Sequence, residues 1–524
     1  MKYPSIFNDV VGPVMRGPSS SHCAASLRIG RLCRDLMNGQ IQKVLIEFDP
    51  AGSLATTHEA QGSDMGLFGG FLGWEADDER LQDAAEHLAI AGIEVHFRLT
   101  ELEEKHPNTY KISLSNQVES HELIAISTGG GMIEVVAIDG APVEIQGGYF
   151  ETLIYISEIH QVEKYVRTNL PFEDLTVLRG TNKTFLNIKT TGHIPSGMQQ
   201  EMASLQGVNS IVTLKPVLPV HSRKEMAVPF ITCEEMLAYT EDKGLALWEL
   251  ALEYECSRGN LSRQEVMGQM TEIYGILRRA VDSGLRGTQY EDRILGSQSV
   301  KFKELMEGNR LIDSGALLNQ IVMYVSAIME VKSSMGVIVA APTAGSCGAM
   351  PGAVLATVDV LGKSEEDAVR ALLSAGLIGI FIAAHSTFAA EVGGCQAECG
   401  SGATMAAAAI VELAGGSLDQ SICAASMALQ SSLGMICDPI GNRVEAPCLN
   451  RNVMAASNAL SCANMALADY DHLIPLDQVI ETMYEVGNSI PNTLRCTNLG
   501  GLSITKAAKE IEARLGQKVF YKNC

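Results

Sequence analysis

The chain has 524 residues, 46% of them apolar, and 39 basic against 61 acidic side chains leave a net charge of −22. That length exceeds one hydrophobic core and predicts several domains, while the charge, with no local basic run, excludes a nucleic-acid or anionic-membrane surface. The opening MKYPSIFNDVV carries one Lys before polar residues and Pro, so it does not read as a signal peptide, and a cytoplasmic location is expected. Over 1–147, short apolar strands at 43–48 and 93–97 mix with helical stretches such as 77–91, which predicts an α+β domain. Residues 148–220 read as strand 150–157, helix 161–169, strands 175–179 and 184–190, helix 196–206 and strand 210–215. This βαββαβ order predicts a ferredoxin-like, ACT-like module. Its 158–160 loop lacks the glycine that would let backbone amides close on a small ligand. Residues 216–224, with two prolines and then a charged run, read as a linker. From 225 to 524 helical spacing recurs over 236–256, 262–282, 316–331, 365–384, 403–414, 418–433 and 451–468, and an all-α domain is expected. The uncharged stretches 335–357 and 371–385 read as buried core helices, since the first is interrupted by Pro and Gly and the second is short of the roughly 20 residues of a membrane span.

Thirteen cysteines, an odd number with no export signal, fit poorly with a disulfide framework, and most read as small buried hydrophobes. Cys395, Cys399, Cys437 and Cys448 are the exceptions. Cys395 and Cys399 have the spacing of half a zinc site, but no second close pair completes it. Cys437 and Cys448 each stand near a proline, in loops that would hold a thiol at a fixed angle. Spacing alone leaves metal ligation and core filling both open. The run APTAGSCG at 341–348 lies between an apolar strand-like run and an apolar helix. Such a turn either offers N–H groups and hydroxyls to a carboxylate or phosphate, or simply caps the helix. Ser19, Ser20, Ser21 and His22 precede a helix in the same way, and one serine N-cap accounts for only one of them. No Gly-x-Ser-x-Gly elbow supports a serine nucleophile there.

These runs, with GSL at 52–54, Asp64, HPN at 106–108, GGG at 129–131, AEVGGCQ at 390–396, CDP at 437–439 and PCLNRN at 447–452, resemble the bacterial iron–sulfur L-serine dehydratases in their single-chain form. The resemblance implies a β-type substrate domain over 1–147, an ACT-like module over 148–220 and an α-type iron–sulfur catalytic domain over 225–524. It further implies a 4Fe-4S cluster on Cys395, Cys437 and Cys448, with one iron open to substrate and Cys524 occupying that iron at rest. Cys347 and Cys399 have no ligand role in the pattern. An iron with an open position acts as a Lewis acid on the serine hydroxyl while a base removes the α-proton, giving pyruvate and ammonia. Ser19, Ser20, Ser21, His22, Ser53 and Asn108, faced by Thr343, Gly345 and Ser346, would hold the amino acid. The expected partner is that small substrate, with no nucleic acid and no membrane, in a homodimer.

One departure matters. Many members carry a histidine, the proposed α-proton base, where this chain has Gln61. An amide is no base near neutral pH, so His58 in the same loop is the nearest substitute, with His106 and His22 behind it; His58 as a structural or carboxylate-binding residue is the alternative. Rival readings are a related lyase acting on threonine, cysteine or another β-substituted amino acid, a non-catalytic amino-acid sensor, and a zinc-structural protein.

Overall fold

The computed structural model describes residues 3–104, 106–290, 293–312 and 316–516. A mixed α/β N-terminal part with two sheets precedes a helical C-terminal region. In the first sheet Lys43–Phe48 lies between parallel Glu94–Leu99 and antiparallel Thr109–Ser115, and Ser120–Gly129, Met132–Ile138 and Ala141–Ile145 extend it as a meander. Alternation along Ser120–Gly129 turns His121, Leu123, Ala125 and Ser127 inward. There Leu123 and Ala125 join the core formed with Leu27, Leu32 and Leu36 of helix Ala25–Leu36. The helix expected over 77–91 is instead a 3-10 turn, Glu79–Asp83, followed by helix Ala84–Ile90. Asp83, at φ −109° and ψ 21°, breaks the helical geometry between them.

The second sheet holds Phe150–Ile156, Asp174–Arg179, Thr184–Thr190 and Val208–Leu214, with helices His160–Asn169 and Ser196–Ala203. Its strands are antiparallel throughout, in the spatial order fourth, first, third, second. One face carries Ile154, Ile156, Leu186 and Ile188 against Val162, Val166 and Met202. The other presents Leu153, Tyr155 and Phe185 to the core of the first sheet, so this unit is packed on both sides.

Residues 216–224 are no free linker. Val217 N and Leu218 N donate to Gly147 O at 2.9 and 3.2 Å, Ser222 N donates to Gly148 O at 2.8 Å, and Leu218 and Val220 are buried. The Asn8 amide bonds both the N–H and the C=O of Val220, at 2.9 and 2.7 Å.

The helical region begins its helices with reciprocal caps at Thr232, Ser262, Ser364 and Ser417, each paired with the residue three positions on. The stretch expected as one helix over 236–256 is two, Cys233–Thr240 and Leu247–Gly259. Lys243 N and Gly244 N close on Thr240 O, and Gly244 at φ 62° turns the chain between them. Helix Ser401–Ala414 is central. Its buried Ala403, Ala406, Ala407, Ala408 and Ala409 allow Glu365–His385, Leu418–Gln430 and Cys448–Leu467 to approach closely. The windows Ala344–Leu361 and Glu365–His385 are apolar and long enough to cross a membrane, and 83% and 78% of each is buried inside the protein.

The N-terminal segment packs with this helical region. Ser5 Oγ donates to Glu255 Oε1 at 2.5 Å and Ile6 N to Glu255 Oε2 at 2.8 Å, and strand Val14–Met15 pairs antiparallel with Ile338–Val339. The π-helical turn Ile6–Val10 lies on helix Glu365–His385, where Gly376 and Gly379 make room; a Cβ on either would meet Ile6 Cγ2 at 2.7 Å or Val10 Cγ1 at 2.1 Å. Ile6→Ala is therefore expected to cost about 2–5 kcal/mol, read as a fall in thermal midpoint, because a fully buried side chain leaves a cavity.

Candidate functional site

The thiols come from three separate loops. Cys395 lies between the short helix Ala390–Gly393 and the π turn Gln396–Gly400. Cys437 forms a parallel bridge with Arg495, its N–H donating to Leu494 O at 2.8 Å and its carbonyl accepting from Cys496 N at 2.9 Å. Cys448 opens helix Cys448–Leu467. The sulfurs of Cys395 and Cys437 and a carboxylate oxygen of Glu398 lie within 4.8 Å of one another. Arg451, nearly one turn beyond Cys448, donates to Cys395 Sγ at 3.3 Å and to Asp438 Oδ1 at 2.5 Å. Asp438 Oδ2 accepts Leu502 N at 2.7 Å. A hydrogen bond from Cys437 and the Arg451 charge hold the Cys395 thiol below the ordinary thiol range. Burial, then the nearby Cys395, push the Cys448 thiol up. Burial and Cys395 also raise the Glu398 carboxyl to about 8, and Thr343 Oγ1 donates to it at 2.7 Å. Clustered sulfur donors beside a fixed guanidinium suit a soft metal group of the iron–sulfur or zinc kind. Cys347 packs on Met329 Sδ at 3.8 Å and Cys399 accepts from Asn452 Nδ2 at 3.6 Å. Cys524 lies outside the described residues. The twelve described cysteines are all free thiols.

Hydroxyls and amides of the first part meet this region. The π turn Ser20–Ala24 leads into helix Ala25–Leu36. Ser20 Oγ accepts Ala344 N at 3.2 Å, which ties the serine loop to the 341–348 turn, and Ser21 is buried beside it. Ser19 Oγ and Thr57 Oγ1 bond the two ring nitrogens of His22 at 3.0 and 2.9 Å, and Glu391 Oε1 stands 3.7 Å from Nδ1. Gly129, Gly130 and Gly131, at φ 105°, 61° and 88°, make the hairpin tip that enters here; a Cβ on Gly129 would stand 3.0 Å from Ala389. In the 341–348 turn, Thr343 and Ser346 cap each other, with Ser346 N donating to Thr343 Oγ1 at 3.2 Å. A Cβ on Gly345 would meet Glu398 Oε1 at 2.7 Å, so any side chain there would displace that carboxylate. The N–H groups of Gly348 and Ala349 do not await an anion. Asn452 Oδ1 takes both, at 3.2 and 3.0 Å, while Asn452 Nδ2 donates to Gly345 O at 2.8 Å.

Loop 52–64 touches the thiol side directly. Ser53 Oγ donates to Cys496 O at 3.3 Å, Gln61 Nε2 donates to Cys496 Sγ at 3.4 Å, and Asn442 Nδ2 donates to Thr56 O at 2.6 Å. His58 is held by Asp64 Oδ1 at 2.8 Å and packs against Phe48 and Phe97 at ring distances of 5.0 and 5.2 Å, with a quarter of its side chain exposed. His106 accepts Asn108 N on Nδ1 at 3.2 Å, and burial lowers its imidazole. Both amide atoms of Asn108, with Ser127 Oγ and Glu391 Oε2, are buried and make no hydrogen bond of good geometry among the described residues, the Asn108 amide lying close to the Glu391 carboxylate.

Three participants escape sequence reasoning. Glu391 and Glu398 stand in the AEVGGCQAEC run but declare themselves only through contacts from other loops. Lys332 looks like a cation ending helix Ala316–Ser333, yet it is fully buried. Its Nζ donates to Val444 O, and among the described residues no carboxylate lies within ion-pair distance. It lines a cavity of about 140 Å³ with Pro18, Glu59, Gly62 and Arg443, between the first part and the helical region.

Burial, reinforced by the His58 charge, depresses His22 to about 3, so its ring is neutral at physiological pH. Because the unfolded chain takes up this proton near pH 6.5 and the folded one does not, stability present above that pH falls as pH drops toward 3. His22→Gln should flatten this acid limb in a series of thermal midpoints from pH 7 to 4.

Buried polar side chains of the first part brought against thiols of the helical region are the arrangement of an enzyme's site. Residues 242–503 match the family model described as serine dehydratase alpha chain, and the chain belongs to that family. The probable L-serine dehydratase alpha chain of Bacillus subtilis (strain 168) is 37% identical over 286 residues, covering 55% of this chain and 95% of that protein. The L-serine dehydratase alpha chain of Peptoniphilus asaccharolyticus is 35% identical over 281 residues, 53% of this chain and 96% of that protein. L-serine dehydratase 1 of Escherichia coli (strain K12) is 33% identical over 286 residues, 53% of this chain and 62% of that protein. The family match begins after the second sheet, so it contains the thiol loops and not the serine loop.

Proposed function

We propose that the chain is an L-serine ammonia-lyase that converts L-serine to pyruvate and ammonia at a 4Fe-4S group held by Cys395, Cys437 and Cys448. The observation that carries this reading is the buried Cys395–Cys437 pair beside Arg451, in a chain of the serine dehydratase family. When bound, the cluster supplies a Lewis acid for the departing hydroxyl. The rest falls to the chain's own side chains. Lys332, a buried cation with no carboxylate within ion-pair distance among the described residues, balances the substrate carboxylate, and the Asn108 amide and Glu391 Oε2 take the amino group. Ser19, Ser20, Ser21 and Ser53 close the pocket with Thr343, Gly345 and Ser346, and neutral His22 orients Ser19 and Thr57. His58 takes the α-proton: Asp64 fixes the proton on Nδ1 and leaves the lone pair on Nε2. The division into a substrate part (1–147), an ACT-like module (148–220) and a catalytic part (225–524) belongs to the same reading. The fourth-first-third-second strand order supports the ACT-like module.

The test is an anaerobic absorption spectrum, then serine and a pyruvate assay beside threonine and cysteine. Broad visible absorbance that bleaches in air, with pyruvate from serine, is expected. A colourless protein with stoichiometric zinc, or preference for another amino acid, overturns the cluster or the substrate respectively. Lys332→Met should raise KM for serine about 10–100-fold with kcat little changed, since a charge-assisted contact made equally in ground and transition states is lost.

A further inference from the structure

Among the thiols that no part of the mechanism uses, Cys496 stands apart. It is 3% exposed and forms a compact cluster with Cys395, Cys437 and Ala390. Cys437 and Cys496 pack in that one buried cluster, brought together by the loops that carry residues 437 and 495. The Cys496 backbone is tied to Cys437 through the 2.9 Å bond to its carbonyl, and its own carbonyl accepts Ser53 Oγ at 3.3 Å. Its φ of 59° lies in the left-handed region, a conformation that a non-glycine residue keeps where surrounding contacts fix it. The residue that reaches its sulfur is Gln61, 1% exposed, through an N–H to Sγ contact of 3.4 Å.

We propose that Cys496 is a protein ligand of the metal group, completing a four-thiolate set with Cys395, Cys437 and Cys448, and that Gln61 holds it as a positioning residue. This rests on the cluster reading above. Gln61 belongs to the loop that carries Ser53 and His58, so Cys496 approaches the group from the substrate side. Ligation forms a metal–sulfur bond and releases the thiol proton, and no electron is transferred. An N–H bond to the sulfur draws charge from it and leaves the ligand easier for a substrate hydroxyl to displace. Gln61 would then be the partner of a thiol where a proton acceptor is otherwise expected.

The experiment uses the full chain, reconstituted anaerobically with iron and sulfide, as wild type, Cys496→Ala, Cys496→Ser, Gln61→Ala and Cys524→Ala. Iron and sulfide content are measured, together with the rate at which air converts the cluster to a three-iron form, followed by electron paramagnetic resonance. Cys496→Ala is expected to lose one iron at least about 10-fold faster than wild type, Gln61→Ala to fall between them, and Cys524→Ala to match wild type. Cys496→Ser, which keeps the shape of the loop, should shift the resting spectrum and guards against a folding defect in the alanine variant. If Cys496→Ala and Cys496→Ser both match wild type in spectrum and decay, Cys496 is no ligand. If Cys524→Ala alone accelerates decay, the role belongs to the chain terminus and the inference falls. A wild-type chain that takes up no iron or sulfide overturns the cluster reading itself, which is a separate result.

Discussion

Cys437→Ala is expected to reduce serine turnover at least about 1,000-fold, because a Lewis acid at the leaving hydroxyl is worth several kcal/mol and its loss removes most of the chemistry. The substitution is informative because the backbone at this position is held independently of the sulfur. The N–H and C=O of residue 437 bond Leu494 O and Cys496 N whatever the side chain is. The variant should therefore fold, hold less iron and sulfide per chain, and lose visible absorbance in proportion to its loss of activity. Cys462→Ala is the matched control: that thiol is also buried, but it bonds Asn458 within helix Cys448–Leu467 and faces none of the other cluster thiols. Full metal content and normal turnover in Cys437→Ala would remove this residue from the ligand set.

The second large effect is expected at His58. His58→Ala should lower kcat by about 100- to 10,000-fold, the range for losing a general base, while the visible spectrum stays unchanged. Asp64→Asn separates orientation from basicity. It keeps a partner for Nδ1 but no longer fixes the tautomer, so kcat should fall less and its pH profile should move. A His58→Ala enzyme with near-normal kcat would pass the role to His106, whose Nδ1 already accepts the Asn108 N–H.

How far the sequence reveals this molecule depends on the range of the forces involved. Strands 43–48 and 184–190 fall on short apolar runs that the sequence marks as strands, and the nearly continuous burial of 184–190 reflects a sheet covered on both faces. The helix break after Thr240 is hidden because apolar spacing continues across it, and only the turn at Gly244 interrupts the hydrogen bonds. Cys395 and Cys437 are visible as a pair of unusual loop cysteines. Cys496 is not, because it has no neighbouring cysteine in the chain and acquires its place through a bridge to residue 437. Lys332 is hidden for a similar reason: a lysine at a helix end ordinarily reaches solvent, and here Val444 from a distant loop covers it.

The turn Ile6–Val10 also sets a condition on how the protein is made. The glycines that receive these residues, Gly376 and Gly379, leave the ribosome several hundred residues after them. Through most of synthesis this apolar segment has no docking face. The helical core can close around this segment only after helix Glu365–His385 has been made, so folding of that region is a long-range event in which Ile6–Val10 must stay available. A bulky fusion placed directly before Tyr3 would obstruct that step, whereas the same fusion at the other end would leave the docking of Ile6–Val10 untouched.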